Sequence, residues 1–144
     1  MERAYVREEL EASVDAVWKL LRDFADVSAW ARGRVVRVEG GGVGMVRHID
    51  GPAGRFVERC EAHDDAARTF SYRLLESPVP ATNFVATVRL TPSGPKSCVI
   101  EWMAEFETDS ASAADLRTAI ENVYRGSFIS KLRDTLRSAA AGGA

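Results

Sequence analysis

Residues Met45 to Cys60 read MVRHIDGPAGRFVERC, two strand-like runs hinged on Gly51-Pro52-Ala53-Gly54. Folding the segment about that hinge sets Arg47 opposite Glu58, flanked on the same face by Met45 with Cys60 and Ile49 with Phe56. The other face carries Val46, His48, Val57, Arg59 and Glu61 and is the more polar, so the period-two rule sends the first face inward. Arg47 and Glu58 are then interior. Charges do not sit in a dry core without a partner or water, so this register predicts either a buried ion pair or a polar spot inside an apolar cavity.

Outward from the hairpin, the chain from Val35 to Thr108 has no helical period. It divides into six runs, Val35–Glu39, Val43–Asp50, Arg55–His63, Arg68–Glu76, Thr82–Thr91 and Ser97–Thr108. Between them stand the Gly40-Gly41-Gly42 turn, the hinge, Asp64-Asp65, Ser77-Pro78-Val79-Pro80 and Pro92-Ser93-Gly94-Pro95. Adjacent hairpins in that order force an antiparallel meander. Upstream, Arg3 to Glu11 alternates as a further strand, and Ser13 caps a short helix carrying Val14, Val17, Trp18 and Leu21. Asp23 to Trp30 reads as a second, broken helix with Phe24, Val27 and Trp30 on one side, ended by Arg32-Gly33. Downstream, Ser112 to about Ala140 carries Leu116, Ile120, Val123, Tyr124, Phe128, Leu132 and Leu136 at three-to-four spacing, a helix of about seven turns. Gly126 interrupts it without ending it, at about 1 kcal/mol relative to Ala.

The 144 residues, 46% hydrophobic, suffice for one domain with a real core, expected over residues 1–140 with residues 141–144 as a disordered tail. A net charge of −2 with interspersed signs offers no footprint for nucleic acid and no polybasic patch for anionic lipid. No apolar run approaches the roughly 20 residues of a membrane span, and MERAYVREELEAS has no signal-peptide hydrophobic region, so a cytoplasmic protein without stable membrane association is expected. Cys60 and Cys98 are isolated and fall at inward positions, where a free thiol acts as a small hydrophobe. With His48 and His63 far apart and on polar faces, neither a metal site nor another cofactor is expected.

The sum is an α+β chain, a seven-stranded curved antiparallel sheet wrapped around a long C-terminal helix, with two short helices between strands 1 and 2. One helix cannot fill the concavity of so large a sheet, which leaves a cavity between them. Hairpin tracing sets Val88 opposite Ile100, Ala86 opposite Trp102, Phe84 opposite Ala104 and Thr82 opposite Phe106, with Glu58 near Tyr72 and Phe70 and Leu74 on the same side. Candidate lining residues from the sheet are Arg47, Ile49, Phe56, Glu58, Tyr72, Leu74, Phe84, Ala86 and Trp102; the helix adds Ile120, Tyr124 and Phe128. Glu8 also turns inward if Val6 and Leu10 do.

The order of elements, GxGxxR at Gly42, Gly44 and Arg47, ERCEAHDD from Glu58 to Asp65, P-x-x-N-F at Pro80, Asn83 and Phe84, and W-x-x-x-F at Trp102 and Phe106 resemble the START-like helix-grip superfamily. That superfamily includes bacterial polyketide cyclase/dehydrase-type proteins, lipid-transfer domains, pollen-allergen-like proteins and plant abscisic-acid receptors. The resemblance spans about Ala4 to Leu136. It implies a pocket role for Glu58, Tyr72, Leu74 and Phe84 and a gate-loop role for Gly51–Gly54. Relative to the hormone receptors the Gly-Pro-Ala-Gly loop is short, Trp102 replaces an acidic pocket residue and Val35 stands where a lysine anchors the ligand carboxylate. The resemblance therefore points to the bacterial stand-alone members.

No Ser/His/Asp or Cys/His arrangement is legible, and the glycines from Gly40 to Gly44 join two strands instead of opening a phosphate-binding helix. Three functions follow. The first is binding or transfer of a small hydrophobic molecule of aromatic, polyketide or isoprenoid type. The second is a polyketide cyclase, aromatase or dehydratase in which Arg47, Glu58 and Tyr72 polarise a carbonyl or move a proton. The third is an interaction module that regulates a partner through its surface. The expected partner is the small ligand, not nucleic acid, and a homodimer is left open.

Overall fold

Alternating segments pair into one seven-stranded antiparallel sheet: β1 (Glu2–Leu10), β2 (Arg34–Glu39), β3 (Val46–Gly51), β4 (Gly54–Asp64), β5 (Thr69–Glu76), β6 (Thr82–Gly94) and β7 (Ser97–Glu107). The computed structural model describes residues 1–109 and 111–142. In space the order is β1-β7-β6-β5-β4-β3-β2, so β2 to β7 form an unbroken meander and β1 closes onto the last strand. Helix α1 (Val14–Leu21) starts at Ser13, whose hydroxyl accepts from the Ala16 N–H at 3.2 Å. The C-terminal helix consists of α2 (Ala113–Val123), a π-helical stretch (Tyr124–Ile129) and α3 (Ser130–Gly142). The curved sheet gripping a long helix is the architecture read from the sequence. Helix α3 continues two residues into the tail expected from residue 141, and the rest of that tail lies outside the described residues. No helix among the described residues is long and apolar enough to cross a membrane.

One short helix, not two, separates β1 from β2. Asp23 and Asp26 explain the difference: their carboxylates accept from the Ala25 and Ser28 N–H groups at 3.0 and 2.9 Å. Such side-chain turns offer the backbone an alternative to the helical ladder. Phe24, Val27 and Trp30 are nevertheless all buried, so the amphipathic pattern predicted their inward face without predicting the backbone.

The hinge sets the β3–β4 register, pairing Arg47 with Glu58 and Ile49 with Phe56. Two other hairpins differ from the sequence reading. In β6–β7, Val88 pairs with Trp102, Ala86 with Ala104 and Thr82 with Glu107. The strands run on past Pro92 to a Gly94–Ser97 pair, with a bulge on the way, so the turn lies later than the Pro92–Pro95 signal placed it. A slip of two along β6 and β7 keeps inward residues inward. A second irregularity between Thr82 and Val85, with Asn83 at φ 50°, turns Phe84 inward against Phe106, ring centroids 5.4 Å apart.

In β4–β5, Glu58 pairs with Leu74 and Cys60 with Tyr72. A bulge between Cys60 and Ala62 then reverses the parity of the strand. His63, placed on the polar face by strict alternation, instead pairs with Phe70 and packs its ring 5.5 Å from that of Trp18. Its Nε2 donates to the Arg22 carbonyl at 2.7 Å.

Small side chains position the helix. Ala4, Ala104 and Ala86 form one row across β1, β7 and β6, all fully buried. Over this low floor the helix leans toward β1: Arg117 meets Glu2 at 2.6 Å, Glu121 accepts from the Tyr5 N–H at 2.9 Å, and Arg133 donates to the Glu9 carbonyl at 2.8 Å. Glu8 points to the same side and lies 3.4 Å from Arg133. Over Ile49, Phe56 and Leu74 of β3, β4 and β5 the C-terminal helix stands off the concave face and leaves a space.

Candidate functional site

A cavity of about 460 Å³ occupies that space, between the sheet, the helix and the loop before β2. Ile49 from β3, Phe56 and Glu58 from β4, Tyr72 and Leu74 from β5 and Phe84 from β6 line it. Ile120, Tyr124 and Phe128 close it from the helix. The Gly51-Pro52-Ala53 hairpin tip and the Pro78-Val79-Pro80 loop form the rim with Leu116 and Val123. Val123, read as part of the buried stripe, is 45% exposed at this rim.

Arg47, Ala86 and Trp102 do not line the cavity. Arg47 is 1% exposed and lies behind Glu58. Its Nε donates to Glu58 Oε1 at 2.9 Å and its Nη1 to the Phe24 carbonyl at 2.9 Å. Nη2 is 2.8 Å from the same Glu58 oxygen, close enough for charge attraction but off the donor axis, so it makes no directed hydrogen bond. The guanidinium carbon sits 3.8, 4.9 and 5.5 Å from the ring centres of Phe24, Tyr72 and Trp30. A weakly hydrated planar cation tolerates such a box far better than an ammonium does. Ala86 belongs to the alanine row under the helix. Trp102, fully buried, is packed behind Trp30, Phe128 and Tyr124, with ring centroids 4.9, 5.0 and 5.6 Å away.

Glu58 keeps one face toward the cavity. Both nearby Arg47 nitrogens converge on Oε1, and Oε2 makes no hydrogen bond with the described residues. Beside it, the Tyr72 hydroxyl accepts from Trp102 Nε1 at 3.3 Å and retains its own proton for donation. Burial, and next the Glu58 charge, push the Tyr72 hydroxyl well above the usual tyrosine value. Burial followed by Tyr72 and Glu58 does the same for Tyr124. The site thus combines a carboxylate acceptor with two neutral hydroxyl donors on an otherwise apolar, aromatic wall. Among the described residues no three His, Cys, Asp or Glu side chains gather into a group that could hold a metal ion. Burial raises the Cys60 and Cys98 thiols, which keeps them poor nucleophiles.

The model of the family described as polyketide cyclase / dehydrase and lipid transport matches residues 1–137. The chain belongs to that family. Solved structures similar to this member of the polyketide cyclase/dehydrase and lipid transport family repeat the sheet and helix described above. A solution structure from Thermobifida fusca is 24% identical, with a TM-score of 0.82 over 92% of this chain and 91% of that one. A protein from Nitrosospira multiformis is 27% identical, with a TM-score of 0.77 over 92% and 94%. Norcoclaurine synthase from Thalictrum flavum, in complex with dopamine and hydroxybenzaldehyde, is 17% identical, with a TM-score of 0.72 over 99% and 88%. These likenesses are of fold. No curated protein matches the chain.

Trp30, Arg32 and Ser127 also line the cavity and were not among the residues singled out from the sequence. Trp30 ends the segment expected as a second helix, Arg32 belongs to the Arg32-Gly33 stretch expected to terminate it, and Ser127 lies in the π-helical stretch, whose wider turn shifts the side chains that follow. A tryptophan beside a charged Arg-Gly loop end was the available signal.

Proposed function

We propose that the protein binds or transfers a small, flat, largely apolar molecule of aromatic, polyketide or isoprenoid type in this cavity. The aromatic wall with a single polar floor at Glu58, Tyr72 and Tyr124 supports that reading: stacked rings favour flat ligands, and the floor serves only one or two polar atoms. The complex of norcoclaurine synthase with dopamine and hydroxybenzaldehyde shows flat phenolic molecules held by a protein of the same fold. Mass spectrometry of material extracted from the purified protein is the direct test, followed by titration with polycyclic phenols, flavonoids, isoprenoids and fatty acids. Trp30, on the wall, supplies the fluorescence readout. Binding of fatty acids alone, or binding indifferent to Tyr72→Phe, Phe84→Ala and Trp30→Leu together, rejects the reading.

The uncommitted Glu58 Oε2 favours a second reading, cyclisation or dehydration of a polyketide. Glu58 would remove a proton while Tyr72 or Tyr124 donates to the carbonyl that gains charge. Arg47 then serves by holding Glu58 and does not touch the substrate. Turnover of a bound polyketide that disappears in Glu58→Gln would establish this reading over simple binding.

A further inference from the structure

Of the described residues that line the cavity, only Glu58 and Arg32 carry a formal charge. Glu58 is deep, 7% exposed, whereas Arg32 is exposed at the rim. Arg32 Nε donates to Ser127 Oγ at 3.0 Å, which aims the guanidinium along the helix side of the opening, and it makes no ion pair with the described residues. Arg47, the cation that could have received an acid at the floor, is sealed behind Glu58 with Nε and Nη1 already hydrogen-bonded.

We infer that the ligand is directional: a hydroxyl or other hydrogen-bond donor goes inward to Glu58, and an acidic group stays outward beside Arg32. This rests on the cavity being a ligand site. A carboxylate at the floor would face the Glu58 carboxylate in a poorly screened environment, so the floor selects against acids. A phenolic or enolic hydroxyl fits there on both counts, donating to Glu58 Oε2 while accepting from the Tyr72 or Tyr124 hydroxyl. At the rim the order reverses, because the cation there lacks an ionic partner. The preferred class is therefore a hydroxylated aromatic acid with its two polar groups at opposite ends.

Three probes of one ring system separate the outcomes by calorimetric titration: a naphthol, its methyl ether, and a hydroxynaphthoic acid with its groups at opposite ends. The naphthol should bind about tenfold or more tighter than the ether, the size expected for a hydrogen bond to a charged acceptor. The hydroxy acid should gain a further few-fold over the naphthol, and Arg32→Ala should erase that gain, bringing the two probes to the same affinity. Equal binding of naphthol and ether, or an acid gain that survives Arg32→Ala, overturns the inference and leaves the cavity as an apolar binding site. If none of the three binds, the cavity reading itself falls, and the inference with it.

Discussion

Replacing Arg47 alone by Met should destabilise the protein by about 3–5 kcal/mol, because Glu58 is left charged against apolar rings. Adding Glu58→Leu should recover much of that loss. A double-mutant cycle by chemical denaturation measures the coupling, and additive effects would contradict a direct pair. Tyr72 and Tyr124 bear on alkaline stability. Their folded values lie above the ordinary 10.0, so folding is unaffected by them below that pH and weakens as pH rises past it, when only the unfolded chain ionises. Each contributes a loss of about 1.4 kcal/mol per pH unit until its folded value is reached. Spectrophotometric titration should show both phenols ionising only as the protein unfolds, with Tyr72→Phe delaying the onset. The Arg47–Glu58 pair was legible because four hinge residues fix its register locally. That Arg47 lies behind Glu58 and not on the cavity wall was not legible, since its box is completed by Phe24 and Trp30, whose loop backbone the sequence pattern misassigned.

Among the elements, the C-terminal helix shows why a constant helical period misleads. Its fully or nearly buried positions run Ile120, Tyr124, Ile129 and Leu132, and the five-residue step falls on the π-helical stretch. The three-to-four rule therefore selected Phe128 and passed over Ile129. Ile129, 0% exposed, should cost about 2–5 kcal/mol on truncation to Ala, and Phe128→Ala should fall at or below the low end of the 3–5 kcal/mol typical for phenylalanine because it borders the cavity. Denaturant midpoints of the two variants check both values, and a loss well above about 3 kcal/mol at Phe128 would contradict its place at the cavity edge. Gly126 has open space where a Cβ would stand and no left-handed backbone, so Gly126→Ala should stabilise by about 0.5–1 kcal/mol. In the sheet, local turn chemistry revealed which residues share a face, but bulges at Cys60–Ala62 and Pro92–Gly94 moved partners and, for His63, the face itself. Bulges leave no fixed sequence signature.

At the scale of the molecule, the strand count and the single long helix made the architecture legible, and their mismatch in size made a cavity expected. Most of its wall was legible as well, but that Ala86 and Trp102 lie outside it was not, because that depends on the alanine row that draws the helix toward β1. Ala104→Leu tests this: overpacking the row should cost about 1–3 kcal/mol and alter ligand affinity by displacing the helix. An unchanged denaturation midpoint would show that the helix does not seat there. The β1–β7 pairing also sets a timetable for synthesis. Glu2 pairs with Phe106 and Leu10 with Cys98, so the first strand of this sheet waits for its last before it has any sheet neighbour. At translation rates of about 5–20 residues per second, that wait is roughly 5–20 s. Throughout it Ala4, Val6 and Leu10 lack the β7 partner they have in the folded sheet, so β1 is the strand that stays unpaired longest after it is made.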